Sequence, residues 1–274
     1  MMYLNKGNKV MAVMQKNGTD FYYEESGKRG MPTVIFSNSL GANLGMWDRQ
    51  VDALKDSYHI LRYDQRGHGK TSVSPNTFDF NALGNDVTDL MDELGIERAH
   101  CVGLSMGGMT ALGLGINHGH RFISLTASNC VATFSNEARG VWKDRISMVS
   151  AEGLEPILDA TMERWFTGKF ISNNSAEIAE VRNMVASTPI SGYIGCCRAL
   201  ERLDYFSELP SIAVPVLLIG GEHDLGTPPS EMRKMKELIP NSRYEELATA
   251  HVGNIEAYEE YNELLLTFLS SIDA

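Results

Sequence analysis

One serine lies between glycines in a pattern that could support nucleophilic catalysis. The run Gly-Leu-Ser-Met-Gly-Gly centres on Ser105, with Gly103 and Gly107 two residues away on either side. The apolar run Ala99–Leu104 predicts a strand before it, and the stretch Met106–Ile116 predicts a helix after it. A strand that turns sharply into a helix has no room for side chains at the two glycines, and the free N–H groups of the helix start favour negative charge. The pattern therefore predicts that Ser105 is a nucleophile.

A glycine-rich turn that only packs a helix, or a dinucleotide-binding loop, is the alternative interpretation. A dinucleotide loop needs the spacing GxGxxG and an acidic residue about 20 positions later. Gly103, Gly107 and Gly108 have the wrong spacing, and no acidic residue lies near Ser128 and Asn129. The sequence therefore favours the nucleophile.

A serine nucleophile needs a base, and an acid usually orients that base. The strand, serine and helix resemble the nucleophile turn of the α/β hydrolases, whose chain order is serine, acid, histidine. His251 follows the last predicted strand, Ser242–Leu247, and is the predicted base. Asp224 follows the predicted strand Val214–Gly220 and is the predicted acid, with Glu222 as the alternative.

Two backbone N–H groups are predicted to form an oxyanion hole. The first belongs to Met106, directly after the nucleophile, and the second to the loop that follows the predicted strand Thr33–Ser37. Leu40 is the donor by register in that loop. Its usual first residue is histidine, but here Asn38 takes that place, and an asparagine can hold a loop through side-chain hydrogen bonds.

Other histidines are predicted to have structural or surface roles. Residues 64–69 match a loop common in this fold, so Arg66 and His68 are interpreted as structural. A metal-dependent hydrolase could use His118 and His120, but they end a predicted helix, where we expect them to be solvated. The sequence therefore predicts no metal site.

The elements that must position these residues alternate between strands and helices. Continuous apolar strands followed by helices indicate a parallel sheet that is buried on both faces. Together with the motifs, this predicts an α/β-hydrolase fold, a mostly parallel sheet with helices on both faces. Besides the strands named above, the predicted strands are Lys9–Lys16, Thr19–Glu25, His59–Tyr63 and Ser124–Ala127, and the predicted helices of the core include Asn81–Leu94, Ser230–Leu238 and Ala257–Ser270.

The alternation stops in residues 134–206, where only helical patterns occur. We therefore predict a hydrolase core made of residues 1–133 and 207–274, with residues 134–206 inserted as a helical cap. No Pro/Gly/Ser-rich linker flanks the insertion, which argues against a separate domain. The predicted cap helices are Val141–Val149, Leu154–Trp165, Ala176–Val185 and Ile190–Leu203.

Several short motifs resemble those of the 3-oxoadipate enol-lactonases. The resemblance implies a cytoplasmic enzyme without a cofactor, which opens the enol-lactone of the β-ketoadipate pathway of aromatic degradation through an acyl-enzyme on Ser105. Since that lactone carries a carboxylate, the cap should supply a cation, and Trp142, Arg145 and Arg164 are the candidate substrate-binding residues. The motifs are Ser37–Gly41, Met46–Asp48, Leu61–Asp64, Gly103–Met109, Glu163–Thr167, and Gly192–Tyr193 with Cys196–Cys197.

Other functions remain open on the sequence alone. A different carboxylesterase, a perhydrolase or a C–C bond hydrolase could use the same residues. A hormone receptor of the same fold that turns over slowly is a further alternative. Haloalkane dehalogenases and epoxide hydrolases are disfavoured, because they carry aspartate where this chain has Ser105.

Composition restricts the partners. The 274 residues carry a formal net charge of −11, which argues against binding to nucleic acid or to an anionic membrane surface. No apolar run approaches the roughly 20 residues of a membrane helix. The four cysteines lack zinc-ligand spacing and are interpreted as reduced thiols, which together with the polar N-terminus predicts a cytoplasmic location. The resemblance implies a small ester or lactone as the partner, and a homo-oligomer remains open.

Overall fold

The computed structural model describes residues 3–5, 9–74 and 76–273, so residues 1, 2, 6–8, 75 and 274 of the predicted core lie outside it. Nine strands of the described chain form one sheet, in the order β1-β2-β3-β5-β4-β6-β7-β8-β9. Neighbouring strands from β1 through β3 to β5 are antiparallel, and those from β5 to β9 are parallel. The mostly parallel sheet is therefore confirmed. The strands are β1 (Tyr3–Asn5), β2 (Lys9–Lys16), β3 (Thr19–Ser26), β4 (Thr33–Ser37), β5 (His59–Tyr63), β6 (Ala99–Leu104), β7 (Phe122–Ser128), β8 (Val216–Gly221) and β9 (Ser242–Leu247).

Helices connect the strands and cover the sheet. Helix α3 packs against β4, β6 and β7, α2 packs on α3, and α9 packs against β8 and β9. Short 3-10 helices lie at Leu44–Trp47, Gly119–Arg121 and Phe206–Ser211. The α-helices are α1 (Asp48–Leu54), α2 (Phe80–Glu93), α3 (Met106–His118), α4 (Asn136–Glu152), α5 (Glu155–Trp165), α6 (Gly168–Asn173), α7 (Ser175–Ala186), α8 (Ile190–Glu201), α9 (Pro229–Leu238), α10 (Gly253–Glu256) and α11 (Tyr258–Asp273).

The central strands are buried along their whole length. Every residue of β4, β5, β6 and β8 is buried, which explains their largely apolar sequences. The edge strand β9 instead carries exposed charged residues, including Glu245 and Glu246, which discourage pairing with another chain. The carboxyl ends of the parallel strands share one edge of the sheet, and the loops at that edge carry the predicted site residues.

Residues 136–201, which we call the helical segment, form five helices, α4–α8, in a stretch that the structure describes throughout. Helix α4 packs against α8, and α5 packs against α7. Four of the five were predicted, with ends shifted by a few residues. Helix α6 was not predicted, because its six residues are too few to show a helical period. The division into a core and a cap stays a prediction.

Thr126 of β7 offers a test of the packing of the sheet. Its side chain is buried, and its hydroxyl has no hydrogen-bond partner in the part of the chain that the structure describes. A buried hydroxyl without a partner costs about 1–3 kcal/mol. We therefore expect Thr126→Val to raise the free energy of unfolding by about 1 kcal/mol in urea titrations.

Thr71 provides the matched control. Its hydroxyl is also buried, but it donates to the carbonyl of Asp64 at 2.6 Å and accepts from the N–H of Tyr22 at 2.9 Å. Thr71→Val should therefore destabilise the chain. The account of Thr126 is wrong if both valine variants lose stability to the same extent.

Candidate active site

Ser105 occupies a strained position in the turn between β6 and α3. Its φ of 56° and ψ of −115° lie in a region that residues with a side chain rarely adopt. The turn is held by two hydrogen bonds, from Ser105 N–H to the carbonyl of Ser128 at 2.8 Å and from Met109 N–H to the carbonyl of Ser105 at 2.9 Å. Backbone strain of about 1–3 kcal/mol is retained mainly at functional sites, so the conformation marks Ser105 as a candidate.

The two glycines that flank the serine are required by close backbone approach. A Cβ on Gly103 would lie 2.1 Å from the carbonyl oxygen of Gly107, and a Cβ on Gly107 would lie 2.0 Å from the carbonyl oxygen of Ser37. No side chain can be accommodated at either distance. The GxSxG spacing therefore has the steric cause that the sequence predicts.

The predicted oxyanion donors are backbone amides without acceptors. Neither Leu40 N–H nor Met106 N–H has an acceptor among the described residues. The loop before Leu40 is fixed through Asn38, whose side chain donates to the carbonyl of Tyr63 at 2.8 Å and accepts from the indole of Trp47 at 3.0 Å. Asn38 thus holds the loop through side-chain hydrogen bonds, and the amide of Leu40 remains available to a ligand.

His68 fixes the other side of this loop. Its Nε2 accepts from Gly41 N–H at 2.9 Å, so its ring proton lies on Nδ1, 3.3 Å from the carbonyl of Arg66. Burial lowers the pKa of His68 to about 4, which keeps the ring neutral and able to accept. Arg66 forms a bidentate ion pair with the buried Asp86, with 2.7 Å between Nε and Oδ2. In the structure, both Arg66 and His68 hold loops.

Asp224 and His251 are brought together at the ends of β8 and β9. The Nδ1–H of His251 donates to Oδ2 of Asp224 at 2.7 Å. The same carboxylate is buried and accepts from four further donors: Gly226 N–H, Thr227 N–H, the Thr227 hydroxyl and the Asn129 amide. Burial opposes the charge, but His251, Thr227 and Asn129 stabilise it more strongly, so the pKa of Asp224 lies well below its usual value. The alternative acid, Glu222, is exposed to solvent.

The loop that carries His251 is attached to the helical segment. The carbonyl of Trp165, at the end of α5, accepts from the N–H of His251 at 3.1 Å. The carboxylate of Glu256 accepts from Ala250 N–H at 3.0 Å and from Thr167 N–H at 3.2 Å. The backbone position of the predicted base therefore depends on the helical segment as well as on the sheet.

Ser105, His251 and Leu40 line one cavity of about 290 Å³. Within the described residues no hydrogen bond joins the Ser105 hydroxyl to the His251 ring. Such contacts are commonly long without substrate and shorten when it binds. The predicted residues Trp142, Arg145 and Arg164 also line this cavity, as do several residues that were not predicted as site residues, among them Phe134, Thr227 and Leu225.

Two arginines face the cavity without an acidic partner. Arg145 donates to the hydroxyl of Tyr193 at 3.3 Å, and its guanidinium carbon lies 5.8 Å from the ring centre of Trp142. Burial and the neighbouring Arg145 lower the pKa of Arg164. Neither guanidinium forms a salt bridge within the part of the chain that the structure describes. A partly buried cation without a counterion is unfavourable, so this end of the cavity favours an anionic ligand.

The histidines considered as metal ligands and the four cysteines do not line this cavity. His118 bonds to the side chain of Asn85 at 3.1 Å, and within the described ranges no group of three or more His, Cys, Asp or Glu side chains could hold a metal ion. No helix in the described ranges is long and apolar enough to cross a membrane. All four cysteines are buried and unpaired.

The fold, the glycine-flanked serine and the acid–histidine pair define a class of protein. The family model of the α/β hydrolase fold matches residues 32–149, and relatives match along almost the whole chain. The chain belongs to the α/β-hydrolase family.

Within that family the chain is similar to enol-lactonases. It is 38% identical to 3-oxoadipate enol-lactonase 1 of Acinetobacter baylyi over 95% of this chain and 97% of the relative. The crystal structure of the enol-lactonase of Burkholderia xenovorans LB400 superposes with a TM-score of 0.91 at 35% identity, covering 94% of this chain and 99% of that one. A putative carbamate hydrolase, RutD, of a Caulobacter species is 30% identical over 94% of this chain and 98% of its own length. The predicted fold class and resemblance are confirmed.

We predict that Asp224→Asn lowers kcat for the neutral ester p-nitrophenyl acetate by about 10,000-fold and changes KM little, because the amide favours the wrong tautomer of His251. Glu222→Gln is the matched control and should retain activity within a few-fold. A large loss in Glu222→Gln with a small loss in Asp224→Asn would assign the acid to Glu222.

The neutral state of His68 predicts a pH dependence of stability. Its pKa of about 4 in the folded chain lies below the ordinary histidine value of 6.5, so the unfolded chain takes up the proton first as the pH falls. Stability should therefore fall between pH 6.5 and pH 4, with a contribution from His68 of up to about 3 kcal/mol. In His68→Gln, the amide oxygen can still accept from Gly41. Its free energy of unfolding, measured in urea, should therefore change less steeply with pH over this window than that of the wild type. Equal slopes would contradict the assignment.

Proposed function

We propose that this chain is a serine hydrolase that opens a carboxylate-bearing enol-lactone, 3-oxoadipate enol-lactone. The observation that carries the proposal is that one cavity contains Ser105 and His251 together with two arginines that have no acidic partner among the described residues. The similarity to enol-lactonases along nearly the whole chain supports it.

In the first half-reaction, His251 Nε2 takes the hydroxyl proton of Ser105, and Oγ attacks the lactone carbonyl carbon. Asp224 holds the proton of His251 on Nδ1 and stabilises the charged ring. The carbonyl oxygen becomes an anion, which accepts from the N–H groups of Leu40 and Met106. These amides make no other hydrogen bond among the described residues, so they are ready before the reaction starts.

Collapse of this intermediate breaks the ring C–O bond and leaves the acyl group on Ser105. The departing enolate is a good leaving group because its charge is delocalised, and it becomes a ketone when it takes a proton from His251. In the second half-reaction, His251 takes a proton from water, whose oxygen attacks the acyl carbon. The bond to Ser105 then breaks, and the new carboxyl group leaves as a carboxylate after it gives its proton to the solvent. Ser105 regains its proton, and one water is consumed in each cycle.

The two cavity arginines would determine which class of substrate binds. Arg164 or Arg145 would bind the carboxylate that the lactone already carries, and Trp142 would form an apolar wall beside the ring. The wall itself is supported by Phe134, whose ring centre lies 5.8 Å from that of Trp142 in an edge-on arrangement. The helical segment would thus act as a cap, which excludes water from the acyl-enzyme.

A carbamate hydrolase is the second candidate, because one relative of similar length bears that description. The same nucleophile, base and oxyanion hole could serve a carbamate carbonyl. Parallel assays with the enol-lactone and a simple carbamate distinguish the two. Repeated fast turnover of either substrate would argue against a slow hydrolase-like receptor.

We also infer a cytoplasmic enzyme, since its four cysteines are unpaired.

The arginines provide the test of the proposed substrate. A desolvated arginine–carboxylate contact contributes about 1.5–3 kcal/mol, so Arg164→Ala or Arg145→Ala should lower kcat/KM for the enol-lactone by roughly 10- to 150-fold. Hydrolysis of p-nitrophenyl acetate, a neutral ester, should be nearly unaffected.

Arg182→Ala is the matched control in the same helical segment. Its guanidinium is paired with Glu155 and Asp159 at the surface, so both activities should be retained. Ser105→Ala should abolish both activities. If each cavity arginine variant changes kcat/KM for the anionic lactone and for the neutral ester by the same factor, a neutral-ester hydrolase becomes the better assignment.

A further inference from the structure

Thr227 contacts both members of the pair that would activate the serine. Its hydroxyl oxygen lies 2.6 Å from Oδ2 of Asp224 and 3.3 Å from Nδ1 of His251. Since Nδ1 of His251 lies 2.7 Å from the same Oδ2, the three atoms form a closed triangle. The side chain of Thr227 also borders the cavity that Ser105 lines.

The backbone around Thr227 holds this hydroxyl in place. Its own N–H donates to Oδ1 of Asp224 at 3.0 Å, and the N–H of Gly226 donates to the same oxygen at 2.9 Å. Thr227 is buried and is followed by Pro228 and Pro229, which have restricted φ angles. The hydroxyl is therefore held against the carboxylate by a rigid loop.

The triangle permits only one arrangement of protons. Asp224 is ionised and can only accept, so the Thr227 hydroxyl must donate to it, which turns an oxygen lone pair towards His251. A lone pair at that place is compatible with a proton on Nδ1 and repels a ring that carries its proton on Nε2. The hydroxyl thus selects the tautomer of His251 whose Nε2 is free to accept the proton of Ser105.

Asn129 hydrogen-bonds to the carboxylate but not to the ring. Its amide donates to Oδ2 of Asp224 at 3.0 Å and to the carbonyl of Ala250 at 3.3 Å, and no hydrogen bond to the ring of His251 is found in the described chain. Thr227 differs because it reaches both the acid and the ring. Its loss should therefore alter the titration of the base as well as the geometry of the acid.

We propose that Thr227 is a positioning residue, whose hydroxyl sets the orientation and tautomer of His251 through Asp224. The proposal rests on the proposed serine-hydrolase function but not on the identity of the lactone. It is tested with p-nitrophenyl acetate as the substrate, so a failure of the enol-lactone assignment would leave the test intact.

The experiment compares Thr227→Val with Thr227→Ser. Valine keeps the shape and removes the hydroxyl, so kcat should fall about 10- to 100-fold while KM stays within about two-fold. Asp224, deprived of one donor, becomes a stronger acceptor and stabilises protonated His251, so the acidic limb of the pH–rate profile should move to higher pH. Serine restores the hydroxyl and should return kcat to within about three-fold of wild type and the limb to its original position.

Thr126→Val is the control for the loss of a buried hydroxyl. Thr126 lies on β7, and its hydroxyl has no hydrogen-bond partner among the described residues, so this variant should keep both kcat and the pH profile. Urea unfolding establishes that each variant is folded, and Thr227→Ala replaces the valine variant if valine prevents folding.

A substrate-free measurement completes the test. The Nδ1–H proton of His251 should give a low-field proton NMR resonance in the wild type and in Thr227→Ser, and this signal should change in chemical shift or width in Thr227→Val. The proposal is overturned if Thr227→Val keeps the kcat, the pH profile and the resonance of the wild type. It is equally overturned if Thr227→Ser is as impaired as the valine variant, since a merely steric role would then explain the loss.

Discussion

The close packing of α3 on the end of β4 is the constraint on which the site depends. A Cβ on Gly107 would lie 2.0 Å from the carbonyl oxygen of Ser37 and 2.9 Å from that of Asn38, so this contact is made by backbone alone. It brings the start of α3, with Met106 N–H, directly beside the loop that carries Leu40. The strained conformation of Ser105 follows, because a chain that turns so sharply must pass through an unfavourable φ. Packing energy of the buried strands maintains this strain.

The site contains a buried anion and two partly buried cations, which differ in how well their charges are satisfied. Asp224 is a buried anion that is satisfied by five hydrogen bonds, so its charge is fixed and available to His251 without a further ligand. Arg145 and Arg164 are cations of the helical segment that lack such satisfaction in the described chain. The hydrogen-bonded carboxylate can orient His251 before substrate binds. The two guanidinium groups, in contrast, would be stabilised by an anionic substrate.

The parts of the fold that the sequence predicted are those in which burial is continuous. The bounds of β4, β5 and β6 agree with their apolar runs, since both faces of these strands are covered. Helix α1 and strand β1 were not predicted, because elements of seven and three residues are too short to show a period. The predicted last helix, Ala257–Ser270, agrees with α11 to within one residue at its start, whereas the four-residue helix α10 before it was not predicted.

In the site, too, residues within a local motif could be predicted from the sequence, whereas contacts between distant parts of the chain could not. The glycine spacing around Ser105 is local, and it could be recognised directly. Thr227 could have been suspected, because an aspartate often caps N–H groups two and three residues later, as Asp224 does. Asn129 gave no such signal, since it lies 95 residues from Asp224 in the chain and meets it only after β7 and β8 pair. Contacts of that kind depend on the register of the sheet.

The central claim, covalent catalysis by Ser105, is tested most directly by trapping the intermediate. Wild-type protein is mixed with p-nitrophenyl acetate, quenched in acid within the first turnover, digested and analysed by mass spectrometry. The account predicts an acetyl group on the peptide that contains Ser105, formed as fast as p-nitrophenol is first released. Product formation without this adduct, or with the acetyl group on another residue, would contradict it.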